Sequence, residues 1–132
     1  MRLLLDTHLL LWAADFEPDL KSSLSSATLQ LIRDSGNTLY FSAASLWEVA
    51  IKHTLKRLDF RADPYALRRS LLDNGYVELP ITSEHAAGVA LLPPIHKDPF
   101  DRLLIAQAAA EGVTLLTADA TMAQYGGPIR RV

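Results

Sequence analysis

Apolar residues along the 132-residue chain fall into short runs separated by longer stretches with helical spacing. Arg2-Leu3-Leu4-Leu5 is an uninterrupted apolar run, the pattern of a strand buried on both faces, and it stops at Asp6-Thr7. His8 to Ala14 returns to helical character. From Pro18-Asp19 a longer helix is expected to about Asp34, with Leu20, Leu24, Ala27 and Leu31 at three-to-four spacing, closed by Gly36-Asn37. Thr38-Leu39-Tyr40-Phe41 is β-branched and aromatic and predicts a second strand, after which Ser42 opens a helix carrying Leu46, Val49, Ala50 and His53. Leu58-Asp59-Phe60 leads to Asp63-Pro64, a cap and a first-turn proline, which starts a helix running to Asp73.

Tyr76 to Leu79 predicts the third strand, and Thr82 or Ser83 caps a helix to about Leu92. Pro93-Pro94 forces an extended loop. Asp98-Pro99 repeats the cap-and-proline start for a helix ending at Gly112, and Val113 to Leu116 is the fourth strand. A short helical stretch to Tyr125, a Gly126-Gly127-Pro128 turn and an edge strand at Ile129-Arg130-Arg131 complete the series. Gly36, Gly75 and Gly112 each stand just before a strand, but the three units share no side-chain pattern, so they are repeated helix-to-strand connections and not a solenoid. Strands alternating with helices imply an α/β fold: one domain over 1–132, with a central, mainly parallel sheet of four to five strands and helices on both faces.

Composition narrows this picture. Nearly half the residues are apolar and about a fifth charged, which excludes a disordered chain. A chain of this length buries roughly two thirds of its unfolded surface, enough for one core. The absence of cysteine excludes disulfides and thiolate chemistry. Asp6 cuts short the opening apolar run, no small-residue cleavage site follows, and no apolar run reaches membrane-spanning length, so a soluble cytoplasmic protein is expected. A net charge of −2 argues against holding nucleic acid by bulk electrostatics alone, although Lys52, His53, Lys56, Arg57 and Arg61 form a local basic cluster. That cluster reads equally as a solvated helix face.

The candidate chemistry lies in the acids. In an open α/β sheet, ligands bind beyond the carboxyl ends of the strands, and Asp6 and Asp119 each follow a strand end. Glu48 sits two turns into the helix after the second strand, within reach of the same edge. Asp98 and Asp101 reach it only if the Pro-Pro loop carries the chain back across the sheet. Each acid also has a plain structural explanation: Asp6 and Asp98 as helix caps, Glu48 in a capping box with Ser45, Asp101 as a charge at a positive helix end, Asp119 as a turn residue. Two carboxylates about 4 Å apart repel by roughly 4 kcal/mol at an effective dielectric near 20, so four at one rim would call for a cation. Oxygen donors without cysteine or paired histidine favour Mg²⁺ or Mn²⁺ over zinc, and such an ion, by activating water and stabilising a leaving oxygen, suits in-line displacement at phosphorus. The four histidines, His8, His53, His85 and His96, show no short metal pairing and are expected at the surface or partly packed, with His96-Lys97 placed to touch phosphate. Trp12, Trp47, Tyr40 and Phe41 are expected in the core or a dimer interface.

Four motifs in order, Leu4-Leu5-Asp6-Thr7, Ser42 to Glu48, Asp101-Arg102-Leu103-Leu104-Ile105-Ala106-Gln107-Ala108 and Leu116-Thr117-Ala118-Asp119, resemble a PIN domain over essentially the whole chain. Within that superfamily the chain is similar to VapC-type ribonuclease toxins. The resemblance implies a Mg²⁺- or Mn²⁺-dependent endoribonuclease that cuts RNA, is held in check by a cognate antitoxin and forms a homodimer. Asp6, Glu48 and Asp101 match the three central catalytic and metal-binding acids, Asp119 the fourth. Thr7 and Thr117 match hydroxyl positions that orient acids or water. Asp98 is an additional acid with no central ligand role. A receiver-like, Mg²⁺-binding signalling module is the alternative, although it would want an adjacent acid pair at the first strand and a phospho-acceptor Asp at a middle one.

Overall fold

A computed structural model describes residues 1–16, 24–55 and 62–132. Five strands form one sheet in the order β3-β2-β1-β4-β5, and every neighbouring pair is parallel. They are β1 (Arg2–Leu5), β2 (Thr38–Ser42), β3 (Val77–Leu79), β4 (Thr114–Thr117) and β5 (Ile129–Arg131). The described helices are α1 (Thr7–Ala13), α2 (Ser26–Arg33), α3 (Ala43–Thr54), α4 (Pro64–Asp73), α5 (Ser83–Gly88), α6 (Pro99–Glu111) and α7 (Ala120–Ala123), with a 3₁₀ turn at Val89–Leu91 after α5.

The leucine run of β1 explains its central place. Successive strand side chains point to opposite faces. Leu3 and Leu5 enter one core with Leu9, Leu10, Phe41, Val49, Leu67, Leu71 and Leu116, while Leu4 enters a second with Ala44, Leu79, Leu104, Ile105, Ala108, Leu115 and Met122. An uninterrupted apolar strand therefore serves both faces, each side chain contributing about 1.5–3 kcal/mol of burial. The same division recurs on β4, where Leu115 and Leu116 face opposite cores. β1 pairs with β2 on one side and with β4 on the other, Leu3 opposite Leu39 and Leu4 opposite Leu115. The direction of winding thus reverses between β1 and β4, which opens a crevice at their carboxyl ends.

Two expectations about the helices are revised. The helix expected from Pro18 to Asp34 begins only at Ser26: Ser25 is its cap and accepts from the Thr28 amide at 3.2 Å, so Leu24 lies outside it. The proposed start at Pro18-Asp19, with Leu20, falls outside the described residues, as do Leu58-Asp59-Phe60 and Lys56, Arg57 and Arg61 of the basic cluster. The apolar spacing runs through Leu24, but a serine hydroxyl competing for the free amides sets the boundary. The helix expected from Thr82 to Leu92 is α5 with a 3₁₀ extension, capped by Thr82.

Gly112 closes α6 in the left-handed conformation at φ 65°, with its amide donating to the Ala108 carbonyl. A Cβ added there would meet nothing within 4 Å, so only the backbone resists substitution. Gly112→Ala is therefore expected to cost about 1 kcal/mol, read as a lower urea midpoint at unchanged m-value. A glycine-like midpoint in the variant would show that the αL position is not strained.

Candidate active site

The crevice between β1 and β4 holds a cleft of about 200 Å³ whose lining includes Asp6, Glu48, Asp98, Asp101 and Asp119. Local sequence explains each placement. Asp6 is the first residue past β1 and caps α1: its Oδ1 accepts from the Leu9 amide at 2.9 Å. Its other oxygen accepts from Thr117 Oγ1, the last residue of β4, at 2.6 Å. Asp6 is thus a cap and a lining residue of the cleft at once, one oxygen serving α1 and the other Thr117. Thr117 Oγ1 in turn accepts from the Asp119 amide at 3.0 Å, so one hydroxyl ties the two strand-end acids together. Asp119 caps α7, its Oδ1 accepting from Thr121 at 2.7 Å and Met122 at 3.1 Å.

Glu48 reaches the cleft from the helix after β2. It is buried, with Oε1 accepting from Thr7 Oγ1 at 2.8 Å and Oε2 paired with Lys52 Nζ at 2.9 Å, one turn on. Thr7 Oγ1 also lies 2.9 Å from Ser45 Oγ. Ser45 does not cap this helix: Ser42 does, accepting from the Ala44 amide at 3.0 Å, so Glu48 is free of a capping box.

Asp98 caps α6, its Oδ1 accepting from the amides of Phe100 and Asp101 at 2.8 and 3.0 Å. Asp101 stands in the first turn of that helix and meets His96 Nε2 at 2.7 Å through Oδ2. The loop before Asp98 is fixed by Arg102, whose guanidinium donates to the carbonyls of Pro93 at 3.0 Å and Val89 at 3.1 Å and to Tyr125 Oη at 3.0 Å. Tyr125 Oη accepts from the His96 amide at 2.7 Å. These contacts bring the Pro-Pro loop back to the carboxyl edge of the sheet.

Electrostatics follow from burial. Asp6 is held above the ordinary carboxylate range by loss of hydration, against the lowering effect of Thr117 and the Leu9 amide. Asp101 is pushed up to about 6, first by burial and then by the charges of Asp98 and Glu48, while His96 pulls it down. Two acids that resist ionisation, chiefly through burial, thus stand beside three more in one cleft.

Some side chains depart from expectation. His85 is fully buried: its Nδ1 accepts from the Thr82 amide at 3.0 Å and its Nε2 meets Glu111 Oε1 at 2.7 Å. It fills the position that Glu or Gln takes in a capping box, which draws the ring between α5 and α6. His96 is paired with an acid and not a lone surface residue; its spacing of five from Asp101 spans a loop and a cap, so no helical periodicity could have flagged it. Trp47 is 57% exposed and belongs to neither core, meeting Phe100 of α6 edge-to-face at 5.2 Å. Trp12 and Phe41 are buried, as expected. Gln107, apolar in neither chemistry nor pattern, is buried in α6 because it accepts from Ser42 Oγ at 2.5 Å.

The family model described as PIN domain matches residues 3–128. Among solved structures, the chain is similar to VapBC2 from Rickettsia felis bound to a DNA fragment from its promoter, at TM-score 0.65 and 16% identity, covering 99% of this chain and 98% of that one. It is also similar to VapBC-1 from nontypeable Haemophilus influenzae, at TM-score 0.61 and 15% identity, covering 100% and 97%. At these identities the likeness concerns the fold. No curated protein matches the sequence. The family match sets aside the receiver-like alternative, in keeping with a single Asp after β1 and a β3 that ends at Leu79-Pro80.

Proposed function

Since the chain belongs to the PIN domain family, whose members are nucleases, we propose that it is a Mg²⁺- or Mn²⁺-dependent endoribonuclease acting as the toxin of a toxin–antitoxin pair. The observation that carries this reading is the convergence of Asp6, Glu48, Asp101 and Asp119 on one cleft at the sheet's switch point. Their donor set fits a hard divalent cation: four carboxylates, two of them held above their ordinary range chiefly by burial, whose ionised forms a cation would favour. A bound ion would supply Lewis-acid stabilisation of phosphoryl oxygen and a more acidic water.

The chain's own side chains do the positioning. Thr117 holds Asp6 and Asp119 in register across β1 and β4. Thr7 fixes Glu48, and Lys52 balances part of its charge. Asp98 caps α6 and so places Asp101 in its first turn, at the cleft. Leu5 and Leu116, the strand residues next to Asp6 and Thr117, are fully buried, and Met122 is a buried apolar residue of the cleft lining.

RNA incubated with the pure protein and Mg²⁺ or Mn²⁺ is expected to be cut at internal bonds, and excess chelator to stop the cutting. Intact RNA after incubation with metal-loaded protein would refute the nuclease assignment. The VapBC neighbours are complexes with a second protein, and this supports a cognate antitoxin partner here; homodimerisation and a cytoplasmic setting complete the proposal. No described helix is long and apolar enough to cross a membrane.

A further inference from the structure

The four acids are not equally available. Both oxygens of Asp6 are engaged within the protein, by the Leu9 amide and by Thr117, and both oxygens of Glu48 by Thr7 and Lys52. Among the described residues, Asp119 uses only Oδ1, in capping α7, and Asp101 uses only Oδ2, toward His96. Free donor capacity is thus concentrated on one side of the cleft, where Asp101 and Asp119 stand with a histidine between strand end and helix start. One ligand atom from each of His96, Asp101 and Asp119 lies within 4.8 Å of the other two. Adjacent ligands on an octahedral ion at about 2.1 Å stand about 3 Å apart and opposite ones about 4 Å, so the three side chains share one ion after closing by about 1 to 2 Å, a movement within rotamer adjustment.

We propose that His96 is itself a ligand of the ion, so that the cleft offers one imidazole nitrogen beside the carboxylates of Asp101 and Asp119 and selects Mn²⁺ over Mg²⁺. This rests on reading the cleft as a divalent-ion site. The Nε2 atom, which meets Asp101 Oδ2 at 2.7 Å in the metal-free protein, is the donor atom; ligation exchanges that hydrogen bond for the ion and places the ring proton on Nδ1. Mg²⁺ takes oxygen ligands and dehydrates reluctantly, whereas imidazole suits the first-row transition ions, so a nitrogen in the set shifts the balance toward Mn²⁺. The ring is placed in advance: its own amide is held by Tyr125 Oη at 2.7 Å, and Arg102 fastens both Tyr125 and the preceding carbonyls to α6. Such anchoring is needed to aim a loop residue at a metal and is superfluous for a solvated surface histidine.

A second role for the ring is to orient Asp101 by hydrogen bonding alone, and pulsed EPR separates the two. With one equivalent of Mn²⁺ on the full-length protein, direct ligation gives ¹⁴N modulation of the bound Mn²⁺ signal; an orienting histidine gives none. The modulation is expected in the wild type, lost in His96→Gln, and retained in His8→Gln, which removes the other imidazole lining the cleft. Competition between Mn²⁺ and Mg²⁺, followed by the signal of free Mn²⁺, is expected to show the Mn²⁺ preference falling about tenfold or more in His96→Gln. Bound Mn²⁺ without ¹⁴N modulation in the wild type, or modulation that survives His96→Gln, overturns this proposal and leaves the metal site standing. Failure of the wild type to bind Mn²⁺ at all overturns both. The wild-type spectrum decides the matter even if the variant folds poorly.

Discussion

Asp101→Asn is expected to lower metal-dependent RNA cleavage about 100-fold or more, while Asp98→Asn, three residues earlier on the same helix, stays within a few-fold of wild type. The two aspartates differ in what their oxygens do. Asp98 Oδ1 accepts from two backbone amides at the start of α6, a task that asparagine's side-chain oxygen performs nearly as well. Asp101 caps nothing; one oxygen meets His96 and the other faces the cleft, so its charge is what the substitution removes. Initial rates with a fluorogenic RNA at saturating Mn²⁺ separate the outcomes. Undiminished cleavage by Asp101→Asn removes this residue from the reaction, and equal losses in both variants mean that helix placement, not Asp101's charge, is limiting.

The second large effect is on metal-linked stability. Mn²⁺ at about 100 times its dissociation constant should stabilise the wild type by about 2.7 kcal/mol, several degrees in Tm. Asp6→Asn should abolish that shift and leave the metal-free protein folded, because losing the hydrogen bond that Thr117 donates is offset by removing a buried charge. Asparagine keeps an oxygen for the Leu9 amide, and the charge it deletes is one that burial disfavours. The pH dependence has a definite sign. The folded-state pKa values of Asp6 and Asp101 lie above the unfolded value near 3.8, Asp101 at about 6, so the folded metal-free protein binds more protons than the unfolded chain in that window. Their contribution to metal-free stability therefore falls as pH rises from about 4 to about 6. Mn²⁺ needs the ionised acids, so its stabilisation should grow over the same range and fade below about pH 6. Thermal melts of both proteins at pH 5 and pH 7.5, with Mn²⁺ or with chelator, test all of this. A Mn²⁺ shift retained in Asp6→Asn, or one larger at pH 5 than at pH 7.5, contradicts the site described here.

Much of the architecture is readable residue by residue. The unbroken leucines of β1 specify a strand buried on both faces, and cap-proline pairs at Asp63-Pro64 and Asp98-Pro99 mark helix starts that the structure places at the same residues. Gly75 and Gly112 mark turns whose positive φ values, 83° and 65°, other residues adopt at a cost. These signals are local: each depends on a backbone conformation or a periodicity confined to a few neighbours. Boundaries that rest on competition between hydroxyls and apolar spacing, as at Ser25, are less legible, because both signals are present and only the final packing ranks them.

Sequence by itself determined which acids follow strand ends, which residues cap, and that apolar strands must alternate with helices. Tertiary structure alone decided that these acids share one cleft, since their meeting depends on the strand order β3-β2-β1-β4-β5 and the reversal between β1 and β4. It also decided what each carboxylate oxygen does. Thr117 meets Asp6 across 111 residues of chain and Thr7 meets Glu48 across 41, pairings that no local spacing encodes. The position of His96 belongs to the same class: a loop side chain is aimed by whatever anchors the loop, here Arg102 and Tyr125, and the energy of those anchors exists only once the helices and sheet have assembled.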